Sequence, residues 1–208
     1  MTEAGTRKGE ILAAALEEFA AKGFDGATIK SIAAEAGLGA PALIYHYFPD
    51  KDSLFREVLE AHAPPLQAIP DLERDSELPP EAVLTKLGRS YLALGGSSAR
   101  IMRLVLGELT RRSEVSEAFS KSGPGRVLAF LEGYLQRQVE LGRLRPHDTR
   151  SGARSFIGML IPQVVGKVVF PALDRDSPDD EEHLKFAVGL FLRGLAPENG
   201  GESERDTG

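Results

Sequence analysis

The sequence contains no cysteine and no long uninterrupted hydrophobic segment. Without thiols the chain can form neither disulfide bonds nor thiolate metal sites, and cysteine usage leaves its compartment open. The longest apolar stretch, residues 156–173, is interrupted by Pro162, Gln163, Gly166 and Lys167, which a membrane-spanning helix would tolerate only at a high cost. We therefore expect a buried helix here. The acidic N-terminus lacks the apolar segment of a signal peptide, so none is expected.

The short motifs of common enzyme classes are also missing. None of the four histidines pairs with another at the i, i+4 spacing of a zinc helix, and no phosphate-binding or nucleophile-elbow motif occurs. The acidic run of residues 174–183 resembles a metal cluster, but Pro178 occupies a ligand position of the calcium-loop template. Carboxylates there also suit a helix N-terminus. We expect no catalytic residue, no metal and no cofactor, and the protein is predicted not to be an enzyme.

A helix-turn-helix pattern lies between residues 28 and 48. Thr28 is a natural N-cap, apolar residues then recur at helical spacing, and Gly37 supplies the positive φ at which one helix ends and another begins. A second helix is predicted at about residues 40–46. Its expected inward face consists of Leu43, Ile44, Tyr47 and Phe48. The outward face then consists of Gly39, Ala40, Ala42, Tyr45 and His46.

This segment resembles the DNA-binding domain of the TetR family of bacterial transcriptional regulators. The family pattern Thr-[Ile/Val]-x-x-Ile-Ala-x-x-Ala-Gly-[Val/Leu] matches residues 28–38, and Leu-[Ile]-Tyr-x-[His/Tyr]-Phe matches residues 43–48. A Phe-x-x-x-Gly-[Phe/Tyr] helix end at residues 19–24 and Lys51 with Leu54 complete it. The resemblance covers residues 7 to about 60. It implies an all-helical protein, with an N-terminal three-helix helix-turn-helix domain joined by a fourth helix to a C-terminal helical domain for ligand binding and dimerisation.

The DNA contacts are predicted from this resemblance and from residue chemistry. Lys30, Tyr45, His46 and Lys51 are expected to contact phosphates, while Gly39, Ala40, Pro41 and Ala42 face base edges. Many members of the family carry polar residues at the positions of Ala40 and Ala42. Because alanine offers no hydrogen-bonding group, specificity should depend on thymine methyl groups, backbone amides and DNA shape.

The overall charge runs against DNA binding. The net charge is -6, and residues 1–62 carry six basic against ten acidic side chains, whereas a nucleic-acid-binding domain is expected to present a basic patch. The placement of the cations favours DNA nevertheless. Arg7, Lys8, Lys30 and Lys51 precede or begin helices on the side expected to face phosphates. A modest dependence of DNA affinity on salt is predicted.

Four segments are expected along the chain. Residues 1–62 form the DNA-binding domain, residues 63–80 an irregular proline-rich connector, residues 81–196 the helical effector-binding and dimerisation domain, and residues 197–208 a disordered tail. Helices are predicted at about 8–22, 28–36, 40–46 and 51–62. Further helices are predicted at about 81–94, 98–112, 125–141, 149–170 and 179–195, with a short piece at 114–121.

The helix predicted at 149–170 is apolar on more than one face, which is more than a single stripe would bury, and the final helix offers a matching apolar surface. Two interpretations are open: both faces form the core of a single bundle, or the surplus face meets a second copy of the chain, as the family resemblance implies. The residues proposed for the interface are Val165, Val168, Val169, Phe186, Leu190 and Phe191.

The middle helices carry residues that could line a ligand cavity or form ordinary core. They are Tyr91, Met102, Arg103, Leu106, Phe130, Tyr134, Phe156, Met159 and Gln163. Arg103 and Gln163 would anchor the polar end of a ligand, although a surface position is the alternative for Arg103. The expected effector is a hydrophobic small molecule.

Together these features predict a ligand-responsive transcriptional regulator, a repressor that binds a palindromic operator as a homodimer and is released by its effector. A cytoplasmic, nucleoid-associated bacterial protein is expected, with double-stranded DNA as its partner and no membrane contact. The alternative is a helical protein-interaction module whose DNA binding is non-specific or lost. An inverted repeat in the DNA upstream of its gene would favour the regulator.

Overall fold

The computed structural model describes residues 3–96, 99, 102–104, 107, 123–170, 172, 175 and 177–197. The elements with described bounds are all helices: α1 Glu3–Gly26, α2 Ile29–Glu35, α3 Ala42–Tyr47, α4 Lys51–His62, α5 Pro64–Arg74, α6 Pro80–Leu92, α7 Pro124–Glu140, α8 Thr149–Val169 and α9 Asp180–Gly194. The predicted helices at about 98–112 and 114–121, apart from residues 99, 102–104 and 107, lie outside the described residues, as do residues 198–208.

The N-terminal domain, residues 3–62, packs α1 against α2 and α4. Three phenylalanines form its centre. The Phe19 ring stacks on Phe24 with centroids 5.6 Å apart, and both meet Phe55 edge to face at 5.1 Å. This aromatic cluster fixes α4 on α1.

The expectation of an irregular connector at residues 63–80 is wrong, because α5 occupies most of it. Pro64 and Pro65 stand in the first turn, where a missing N–H costs nothing. Leu66, Ile69 and Leu72 then give a buried stripe at helical spacing. These side chains belong to the core of the C-terminal domain, residues 64–197, in which α5 packs against α6 and α7.

The C-terminal domain is a bundle in which α8 packs against α7, and α9 against α6 and α8. The helix α8 is apolar around much of its circumference, as predicted. Phe156, Leu160 and Val164 lie inward, while Ile161 and Val169 are exposed. Within the described part of the chain, no helix is both long and apolar enough to cross a membrane.

Candidate nucleic-acid interface

Local contacts fix both the start of α2 and the turn that follows it. Thr28 caps α2 as predicted: its Oγ1 accepts a hydrogen bond from Ser31 N at 3.0 Å, and the Ser31 hydroxyl oxygen accepts one from Thr28 N at 3.1 Å. Gly37 has φ 66°, as the sequence predicted, and Leu38 N donates to Ala33 O at 2.8 Å. A residue with a side chain would be strained at Gly37. The path into α3 is therefore closely defined.

Two side chains hold α3 onto the N-terminal domain. Ile44 and Phe48 are fully buried, and Tyr47 is half-buried beside them, which agrees with three of the four residues assigned to the inward face. The fourth assignment is wrong, because the Leu43 side chain is 49 % exposed. Leu43 directly precedes the buried Ile44, so its side chain lies about 100° away around the helix axis.

The other predicted DNA contacts on α3 and its approach lie on the surface. Gly39, Ala40, Pro41, Ala42, Tyr45 and His46 are all exposed. The Tyr45 side chain is 54 % exposed. The His46 ring meets Tyr47 edge to face with centroids 5.4 Å apart. The structure thus exposes small residues, a phenol and an imidazole along α3 and the segment that precedes it.

Lys51, at the start of α4, has a structural role that the sequence did not reveal. Its ammonium donates to Phe24 O at 2.7 Å and to Ala27 O at 2.8 Å, and it lies 4.3 Å from the centroid of the Phe24 ring. Those carbonyls belong to the end of α1 and the α1–α2 connection. An ammonium has three donors, and these two carbonyls use two of them. The predicted phosphate contact therefore shares the side chain with a fold-stabilising one.

The remaining cations of the N-terminal domain differ in availability. Arg7 pairs with Glu10 at 2.8 Å, and Lys8 with Glu57 at 2.5 Å. Lys30 is exposed and has no ion pair among the described residues. Of the cations expected near phosphates, Lys30 is thus the one whose charge is least compensated among the described residues, and the modest salt dependence stays a prediction.

Asp50 has a further structural role that was not predicted from the sequence. Its carboxylate accepts a hydrogen bond from Ser53 N at 2.7 Å, and its backbone N–H donates to the Ser53 hydroxyl oxygen at 3.2 Å, which completes a capping box at the start of α4. The bonds from Ser53 lower the pKa of Asp50 below its usual value. The Asp-x-x-Ser spacing was the available signal.

The residues predicted to line a ligand cavity divide into two groups. Tyr134 and Phe156 are buried, whereas Tyr91, Met102, Phe130 and Met159 are partly buried against the same core. Leu106 lies outside the described residues. The Tyr134 hydroxyl donates to Leu78 O at 2.8 Å, and burial raises its pKa to about 12. These contacts make Tyr134 part of the packing between α7 and the turn before α6.

The two predicted polar anchors also differ in burial. Gln163 is 6 % exposed, and its Nε2 already donates to Pro178 O at 2.7 Å. Its donor is thus satisfied by the chain itself. Arg103 is exposed, which was the alternative considered for it. The cavity and its anchors stay predictions.

The six residues proposed for a subunit interface fall on two sides of α8 and α9. Phe186 is 63 % exposed and Leu190 47 % exposed, while Val169 is exposed and Val165 half-buried. The assignment of Phe191 and Val168 to the interface is wrong, because both side chains are buried within the chain itself. Phe191 meets Phe156 edge to face with centroids 5.3 Å apart. On α9 it faces the buried side with Leu184 and Val188, away from Phe186.

Leu104 was not singled out in the sequence, yet it connects the two domains. Its side chain is 7 % exposed and belongs to the buried cluster of the N-terminal domain, whereas Met102, two residues earlier, packs against the core of the C-terminal domain. The sequence held no signal for this, since an apolar residue on a predicted helix can face either core.

Comparison with known families agrees with this architecture. Residues 11–58 match the model of the bacterial regulatory proteins of the TetR family, and residues 82–196 match the C-terminal domain of AefR-like transcriptional repressors. The chain belongs to the TetR family. Members of this family are DNA-binding transcription regulators rather than enzymes, and they dimerise. No curated protein matches the sequence significantly.

Solved structures of regulators share the fold over most of the chain. A regulator from Mesorhizobium loti MAFF303099 is 25 % identical with a TM-score of 0.71, covering 94 % of this chain and all of its own. FadR from Bacillus subtilis, solved with stearoyl-CoA, is 22 % identical with a TM-score of 0.69, covering 89 % of this chain and 98 % of its own. The flavonoid-responsive regulator FrrA is 22 % identical with a TM-score of 0.66, covering 93 % of this chain and 99 % of its own.

Proposed function

We propose that this TetR-family protein is a repressor that binds a palindromic operator as a homodimer and is released by a hydrophobic small molecule. The observation that carries this proposal is the exposed face of α3, which is held by buried Ile44 and Phe48 and approached through the fixed turn at Gly37. A short helix held in this way can enter the major groove as one unit. Its site of action would be the bacterial chromosome in the cytoplasm.

The dimer is proposed to form through α8 and α9. Ile161 and Val169 on α8 and Phe186 and Leu190 on α9 are each between 44 % and 63 % exposed. These residues supply an apolar surface on two neighbouring helices, and a two-fold axis would bring it against itself. A palindromic operator requires such a symmetric pair of recognition helices.

The effector is proposed to bind in the C-terminal domain beside Tyr91, Met102, Phe130 and Met159, which are partly buried rather than closed within the core. FadR from Bacillus subtilis was solved with stearoyl-CoA, which carries a long apolar acyl chain, and FrrA is flavonoid-responsive. For this chain we propose a ligand of the same general character. Methionine adapts readily to such ligands.

Transmission of the signal is proposed to run through residues 102–104. Met102 packs on the C-terminal core and Leu104 in the N-terminal core, so a displacement at the cavity reaches the domain that carries α3. As in the family mechanism, helix α4 would swing and change the spacing of the two recognition helices. The ligand can release DNA only to the extent that it binds the released state more tightly, typically by about 1 to 3 kcal/mol.

Selection of bound duplexes from a random pool, together with footprinting on the DNA upstream of the gene, tests the core of this proposal. The expected result is an inverted repeat whose half-sites lie about 34 to 36 Å apart, or a multiple of that distance, bound by two protomers. If the selection enriches no sequence, the alternative of a protein-interaction module with lost operator specificity is favoured instead.

The effector is tested by screening lipophilic compounds by thermal shift and titrating each hit with and without operator. Since coupling is reciprocal, saturating operator must weaken the hit by the same factor by which the hit weakens DNA binding. If the affinity of a hit does not change with operator, binding of that compound is not coupled to DNA release.

A further inference from the structure

Leu43 is the large apolar side chain on the outward face of α3. It is 49 % exposed although its neighbour Ile44 is fully buried. Single exposed leucines are common on protein surfaces and require no explanation alone. Here, however, the residue stands on the helix that the proposed function places in the major groove, next to Ala42, which has no hydrogen-bonding side chain.

The geometry of α3 places Leu43 at one edge of the outward face. With about 100° per residue, Ala42 and His46 lie nearly opposite the buried Ile44, and Leu43 and Tyr45 flank them on either side. Tyr45 carries a hydroxyl group, which suits a phosphate or a base edge. The Leu43 side chain can neither donate nor accept a hydrogen bond, so it can recognise only an apolar group.

The major groove offers one such group that carries sequence information, the C5-methyl group of thymine. Resting on the proposed function, we infer that Leu43 determines operator specificity by packing its side chain against a thymine methyl in each half-site. Contact removes apolar surface of both partners from water, and a buried methyl group contributes enough to change affinity about fourfold. Two symmetric half-sites should together give about tenfold or more.

A chemical double-mutant cycle tests this assignment. In the selected operator, one thymine position at a time is replaced by deoxyuridine in both half-sites, which removes only the methyl group. The affinity for each duplex is measured with the unmodified protein and with Leu43→Ala. At one thymine position we expect deoxyuridine to weaken DNA binding by the unmodified protein about tenfold. Binding by Leu43→Ala should hardly change there. At other thymines the two proteins should respond alike.

Tyr45→Phe is the matched control, because it alters the other edge of the same face and keeps Leu43. It should retain the full deoxyuridine effect at the critical position. Since both side chains are about half exposed, neither variant should lower the unfolding midpoint appreciably, which a thermal melt verifies.

The outcomes separate this inference from the proposed function. If Leu43→Ala lowers the affinity for every thymine and deoxyuridine duplex by the same factor, Leu43 contacts sugar or backbone and the assignment is overturned. The same holds if Leu43→Ala changes no affinity. If selection enriches no operator at all, the proposed function fails first and the assignment falls with it.

Discussion

At the scale of single residues, Lys51 shows why one side chain can combine two roles. The expectation from the sequence was a phosphate contact, whereas the structure adds two carbonyl acceptors and the Phe24 ring. Hydrogen bonds from charged groups typically contribute about 1.5 to 3 kcal/mol. An effect of Lys51 on DNA binding would therefore include an effect on the geometry of α4.

Comparison of Lys51→Ala with Lys30→Ala separates charge from structure. We expect Lys51→Ala to lower the free energy of unfolding by about 1 to 3 kcal/mol, because two carbonyl oxygens lose their donor. Lys30→Ala, at an exposed position with no ion pair among the described residues, should leave stability within about 0.5 kcal/mol while reducing the salt slope of DNA binding by about 1. Denaturant unfolding and salt titrations measure both. Equal stabilities of the two variants would contradict the structural role of Lys51.

At the scale of elements, α4 joins the DNA-binding domain to the rest of the chain and begins at a defined capping box. Because bonds from Ser53 hold the carboxylate of Asp50, the pKa of Asp50 is lower in the folded than in the unfolded protein. The stabilisation is complete above the unfolded pKa, about 3.9, and is lost as the pH falls through the folded value. The start of α4 should thus be sensitive to acid.

Asp50→Ala and Asp50→Asn test this cap. At pH 7 we expect Asp50→Ala to cost about 1 kcal/mol and Asp50→Asn little, since asparagine caps helices nearly as well. Near pH 3 the unmodified protein should lose part of its advantage over Asp50→Ala, whereas Asp50→Asn, which does not titrate there, should keep its own. Urea unfolding at both pH values provides the measurement. A pH-independent difference between the unmodified protein and Asp50→Ala would contradict the lowered pKa.

At the scale of the whole molecule, the proposed dimer covers the exposed apolar residues of α8 and α9 with a second copy of the chain. Substitutions at Phe191 cannot test this, because Phe191 packs on Phe156 inside the chain and a charge there would disrupt the fold. Phe186 and Leu190 lie one turn apart on the exposed side of α9. They are the positions at which a charge would affect association and spare the core.

We expect Phe186→Arg combined with Leu190→Arg to yield folded monomers that bind the operator at least tenfold more weakly, because two half-sites can no longer be occupied as one unit. Leu78→Arg is the matched control, since Leu78 is 45 % exposed and lies in the turn between α5 and α6. Light scattering and circular dichroism measure assembly and folding. An intact dimer in the double variant would move the interface elsewhere.

Local physics explains which features the sequence alone determined. The cap at Thr28, the turn at Gly37 and the bounds of α4 depend on side chains and backbone preferences within a few residues, and they were predicted correctly. The family pattern of the N-terminal domain depends on the same local residues. The resemblance to the family implied the all-helical fold, and the elements with described bounds are all helices.

Tertiary packing decided the rest, because an apolar or charged side chain has several possible neighbours that sequence spacing cannot distinguish. The sequence could not tell that Leu43 faces outward, that Phe191 faces inward, or that the Lys51 ammonium reaches carbonyls 24 and 27 residues away along the chain. Each outcome depends on which surface a distant helix covers. For the same reason α5 was missed: its prolines suggested an irregular connector, and the core that buries Leu66, Ile69 and Leu72 exists only after α6 and α7 have packed against it.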